Sequence, residues 1–254
     1  MAKKSTSETA QTIYQRKSAK SLEELASKHD HVYGDHVRCK TDTLGKPMPS
    51  AGSPLELVVD ATDGFIPLWK KGTTLRWRFQ EQSLAQFENV AAVKKSIRSI
   101  FAKAVLAWGD AVPIRFSERK SGWDFEIVVR EADDCNISGC VLAAAFFPDS
   151  GQHELTIYPK MFEQPEQEQI ETLAHEIGHV FGLRHFFAKI SETKWPAEIF
   201  GTHKPFSIMN YGADSKLTDA DRADLKSLYT MVWNSQLTQI NGTPIRAFTA
   251  FHST

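Results

Sequence analysis

The sequence of 254 residues lacks any apolar run near the roughly 18 residues that a membrane-spanning helix needs, which argues against a helical membrane protein. The amino-terminal stretch MAKKSTSETAQTIYQRKSAK is basic and polar without the apolar centre of a secretory signal peptide. The expected location is therefore the cytoplasm, or the outside by a route independent of such a peptide. No charge excess is present either: Lys and Arg total 30 against 31 Asp and Glu, a net charge of -1. That balance gives no electrostatic basis for binding nucleic acid or an anionic membrane. Only three cysteines occur, too few for a disulfide scaffold. Cys135 and Cys140 are close enough to bridge across a short loop, but so sparse a set favours two reduced thiols. Internal repeats are absent as well. What remains is 41% hydrophobic, 24% charged and 11% aromatic, the make-up of a globular protein that buries a substantial core.

Three regions are expected. Residues 1–55 read as a polar extension or prosegment. One short helical candidate lies there at Ser21 and Glu24, which have capping-box spacing, and a Pro/Gly/Ser-rich linker, LGKPMPSAGSP, closes the region. Residues 56–233 carry the patterning of a folded catalytic domain. Leu75, Trp77 and Phe79 alternate at strand period, and Val93, Ile97, Ile100, Phe101, Ala104 and Trp108 recur at helical spacing until Gly109 stops the run. Strand candidates follow in VPIRFSE, DFEIVVRE, GCVLAAAFF and HELTIYP. A helix starting near Pro165 comes next, and a last one opens on a Thr218–Asp221 capping box. Residues 234–254 form a tail in which Asn241-Gly242 separates two apolar runs, a hairpin signal.

The chemistry concentrates in HEIGHVFGLRH, residues 175–185. On a helix, His175 and His179 project from one face and offer two imidazole nitrogens to one ion. A third ligand cannot arrive from a continuing helix. Gly182 can adopt the left-handed conformation that ends it and turns His185 back towards the same ion. Ile170, Leu173, Ala174, Ile177, Val180 and Phe181 cluster on the opposite side, so the histidines are expected to face a cleft. Glu176 flanks them, close enough to exchange a proton with a metal-activated water without ligating the metal. Three neutral nitrogens with an open fourth position describe catalytic Zn2+.

This segment resembles the extended zinc motif of the metzincin metallopeptidases. The clan also carries a methionine turn below the metal, and SIMNYG supplies Met209. Tyr211 matches the tyrosine that astacin-like and serralysin-like members hold near zinc, where it would stabilise an oxyanion. The strand and helix order, with LTDADRADLKSLY, is similar to matrixins.

The resemblance implies an α+β fold: a twisted, mostly parallel sheet with an antiparallel edge strand, a long backing helix, an active-site helix and a small C-terminal lobe. GCVLAAAFF would be the edge strand on which a peptide lies by strand addition. It also implies a zinc-dependent endopeptidase acting on peptide or protein substrates as a monomer, with Cys39 as a possible zinc blocker in a latent zymogen. Two other readings stand beside it, an inactive or latent relative that holds a peptide and a purely structural zinc. The presence of Glu176 argues against an inactive site. A structural zinc would need a fourth ligand, for which only Cys39 and Tyr211 are available.

Overall fold

The computed structural model describes residues 40–41, 64–137, 139–184, 207–209 and 216–252, together with the backbone of 37–38, 57–60 and 197–200. The Ser21–Glu24 helical candidate, Cys39, His185 and Tyr211 lie outside the described residues.

Two short strands come first, β1 (Val37–Arg38) and β2 (Leu57–Asp60). β3 (Ile66–Trp69) is buried throughout, whereas β4 (Thr74–Phe79) buries alternate residues, Leu75, Trp77 and Phe79, as its period-2 pattern dictates. A one-turn helix α1 (Glu81–Leu84) leads to α2 (Val90–Ala107), which is capped by the Asn89 side chain accepting the Ala92 N–H. α2 buries Val93, Ile97, Ile100, Phe101 and Ala104 on one stripe, and Gly109 just beyond it has φ of 58°. β5 (Arg115–Glu118), β6 (Phe125–Val129), β7 (Asp134–Asn136), β8 (Gly139–Val141), β9 (Ala143–Ala144) and β10 (His153–Ile157) follow. After them come α3 (Glu166–Val180), β11 (Ala197–Phe200), α4 (Asp219–Trp233), β12 (Gln239–Ile240) and β13 (Thr243–Phe248).

The central sheet has the order β5-β4-β6-β10-β9. Its first four strands are parallel and only β9 is antiparallel, with Ala143 opposite Ile157 and Ala144 opposite Thr156. This is the α+β arrangement that the resemblance implies. The sheet carries an aromatic cluster in which the Phe101 ring of α2 sits 5.4 Å from Trp77 and 5.3 Å from Phe116, ring spacings that favour edge and tilted contacts. α2 in turn packs along α3.

Two expectations need correction. GCVLAAAFF is not one edge strand: only its middle, β9, pairs with the central sheet. Its first part, β8, leaves that sheet to pair antiparallel with β7 and parallel with β1. The β7–β8 hairpin puts Cys135 directly opposite Cys140, and the two form a disulfide where reduced thiols were expected. Cross-strand register, which residue counting does not reveal, brings the two sulfurs together.

The tail folds back into the structure. Asn241 and Gly242, with φ of 48° and 88°, make the tight turn between β12 and β13, and β13 then pairs parallel with β3. Among the described residues no helix is long and apolar enough to cross a membrane.

Candidate metal centre

α3 carries Glu166 and Glu168 in its first turn, where the helix dipole favours negative charge. Its C-terminus is tightly specified. The Gly182 N–H donates to His179 O at 2.8 Å and the Leu183 N–H to Gly178 O at 3.0 Å, the paired bonds of a Schellman motif. Gly182 has φ of 92°, and a Cβ there would lie 2.9 Å from the Pro67 carbonyl oxygen, so side-chain-bearing residues are excluded twice over.

The remaining terminal carbonyls are taken by buried side chains. Trp69 Nε1 donates to Val180 O at 2.6 Å and the Tyr229 hydroxyl donates to Phe181 O at 3.0 Å. Tyr229 also accepts from the Trp69 N–H, and burial pushes its phenol well above the ordinary tyrosine range. The end of the helix, and with it the start of the loop towards His185, is thus tied to β3 and α4.

One turn back, His175 and His179 meet. His175 Nδ1 lies 2.7 Å from Ile208 O, and His179 Nδ1 lies 2.7 Å from Leu183 O. A carbonyl only accepts, so each Nδ1 carries the ring proton and each Nε2 presents a lone pair. Those two Nε2 atoms are 3.2 Å apart. Two acceptors that close repel unless a cation sits against both. A tetrahedral zinc with Zn–N bonds of about 2.0–2.1 Å holds two such nitrogens roughly 3.3 Å apart. The donor set therefore fits the ion that the motif implies. Among the described residues, His175, Glu176 and His179 are also the cluster whose ligand atoms converge, all within 4.8 Å of one another.

The expected cleft is partly covered in this structure, with His175 only partly buried. Glu176, on the flank, is 3% exposed, and His179, opposite the apolar stripe of α3, is 0% exposed. The cover is polar and specific. Thr41, from far upstream, donates its hydroxyl to Glu176 Oε2 at 2.8 Å and accepts the Ala145 N–H at 2.7 Å. Phe147 adds an edge-on ring 5.5 Å from His179, and the buried Arg184 guanidinium lies 5.1 Å from the same Phe147 ring.

Met209 lies beneath the helix and is 2% exposed. It packs against Gly178, which lies between the histidines in the sequence, so closely that a Cβ on Gly178 would collide with the Met209 sulfur. The same turn supplies the Ile208 carbonyl that orients His175. Sequence reasoning missed Thr41, Gly178 and both orienting carbonyls. Gly178 left a signal, since glycine inside a helix costs about 1 kcal/mol against alanine and needs a packing reason. Thr41 left none.

Two ring nitrogens and a buried carboxylate on adjoining turns of one helix form a group that could hold a metal ion. The matrixin peptidase family matches residues 68–230, more than half of the chain, from within β3 to within α4, and the chain belongs to that family of zinc metallopeptidases. Among solved structures, myroilysin is similar at 13% identity and a TM-score of 0.43, over 68% of this chain and 98% of that one. Comparison with curated proteins gives no match.

Proposed function

We propose that the protein is a zinc-dependent endopeptidase in which His175, His179 and His185 hold the ion and Glu176 is the general base. The observation that carries this reading is the 3.2 Å approach of two carbonyl-anchored imidazoles beside a buried carboxylate. When bound, zinc supplies Lewis acidity, lowering the pKa of a coordinated water to about 7 and polarising the scissile carbonyl. Glu176 takes the proton from the attacking water at a carboxylate oxygen and returns it to the leaving amine. The Ile208 and Leu183 carbonyls keep both imidazoles in the ligating tautomer. Gly182 turns the chain towards His185, and Met209 forms an apolar floor under Gly178. Tyr211 donates its phenol to the developing oxyanion. Cys39 is the candidate to ligate the metal in a latent form. The substrate is a peptide or protein segment entering as an added strand, and the protein acts as a monomer.

The test is a diverse peptide library incubated with the zinc-loaded protein and its Glu176→Ala variant, with cuts mapped by mass spectrometry. Glu176→Ala should retain zinc and lose hydrolysis by about two to four orders of magnitude. Equal cutting by both proteins would remove Glu176 from its role, and no cutting under any condition would overturn the peptidase reading.

A further inference from the structure

Resting on the peptidase reading, we infer that Phe147 is a specificity-determining residue of that site, an apolar wall that accepts an apolar side chain adjoining the scissile bond and turns away lysine and arginine. Three consecutive residues beyond β9 are placed by different parts of the fold. Phe146 is 4% exposed and stacks on the His153 ring of β10 at 4.3 Å. Pro148 is buried and faces the end of α3, where its Cγ would lie 3.6 Å from a Cβ on Gly182. Phe147, between them, is only half-buried, and its ring stands 5.5 Å from the His179 imidazole at 77°. With both neighbours fixed, the ring is held over the histidine before any substrate arrives, so no ordering cost falls on binding.

The ring lies where a substrate side chain must pass. A scissile carbonyl drawn to the ion beside His179 Nε2 is flanked by two Cα atoms only about 3.8 Å apart, so a side chain on either falls within reach of a ring that touches the same imidazole. Ala143 and Ala145, which alternate with Phe147 along the segment, carry only methyl groups and leave that room open. Phe147 is the first bulky side chain on this alternation. Its charge surroundings set what it accepts. The buried Arg184 guanidinium lies 5.1 Å from the ring, and a bound metal ion places further positive charge beyond His179. The carboxylate of the same segment, Asp149, is turned to His153 Nε2 and the Gly151 N–H. An aliphatic or aromatic side chain therefore buries its surface on the ring without electrostatic cost, whereas an ammonium or guanidinium group meets like charge there.

The test uses the full, zinc-loaded chain with its Phe147→Ala and Phe147→Leu variants. Cuts in a diverse peptide library are mapped by mass spectrometry, kcat and KM are then measured on peptide pairs that differ only beside the cut, and bound zinc is determined in parallel. In the parent, apolar residues should be enriched over lysine and arginine at one position beside the cut. Phe147→Ala should weaken that preference by about tenfold or more, chiefly through KM and at unchanged zinc content, in line with the roughly ten- to hundredfold discrimination of a hydrophobic subsite. Phe147→Leu should keep most of it. A parent without the enrichment, or a parent-like profile in Phe147→Ala, would overturn the assignment while leaving the peptidase reading intact. A uniform fall in the cutting of every peptide, or loss of zinc, would also overturn it, by making the ring a support for His179 alone. No cutting of any peptide by the parent would overturn the peptidase reading and the subsite with it.

Discussion

The two faces of α3 are covered to different degrees and by different means. On one, Leu173, Ala174, Ile177 and Val180 join a continuous apolar core shared with α2 and the central sheet. Each such residue has many neighbours, and the loss of one contact is spread among the rest. On the other, polar groups meet specific polar partners: His175 meets Ile208 O, His179 meets Leu183 O, and Glu176 accepts from Thr41. The apolar face fixes where the helix lies. The polar face fixes what its side chains can do.

The sharpest way to break that contrast is His179→Ala. It removes one of two converging nitrogens and strips the Leu183 carbonyl of its partner, so metal content and peptide hydrolysis should both fall to background while the far-ultraviolet spectrum stays native. Full zinc stoichiometry in that variant would remove His179 from the ligand set. A smaller effect is expected where the two faces meet. Gly178→Ala drives a methyl group into the Met209 sulfur, and overpacking of this kind costs about 1–3 kcal/mol, measurable by denaturant unfolding. Combining it with Met209→Ala should recover part of that loss, and strict additivity would mean the two residues do not press on one another. The mildest is Tyr229→Phe, which removes a donor to Phe181 O and an acceptor for the Trp69 N–H. A cost of about 1–2 kcal/mol and a lowered Tm are expected. An unchanged Tm would indicate that water replaces the hydroxyl.

Much of this was legible in the sequence because it is local. The period of Leu75, Trp77 and Phe79, the stripe of α2, the Thr218–Asp221 cap and the Asn241-Gly242 turn each depend on residues a few positions apart, and all appear in the structure. The histidine pair belongs to the same class, since helical spacing alone brings it together. What could not be read depends on distant register. Thr41 and Glu176 are 135 residues apart, and nothing in a polar segment marks one hydroxyl as a partner for a carboxylate. The Cys135–Cys140 bridge was visible as an option but undecidable, because spacing permits it and only the β7–β8 register selects it. The division of GCVLAAAFF into β8 and β9 has the same origin, since a uniformly apolar run carries no mark of where a strand changes partners.

The parallel pairing of β13 with β3 has a practical corollary for handling the protein. Among the described residues β3 has no other strand beside it in its sheet, and it carries Trp69, whose indole secures the end of α3. The backbone amide of His252 also reaches Asp124, next to β6, at 2.7 Å. Trimming the last dozen residues to obtain a minimal catalytic fragment would therefore loosen the histidine-bearing helix from behind, and an affinity tag is better joined at the other end.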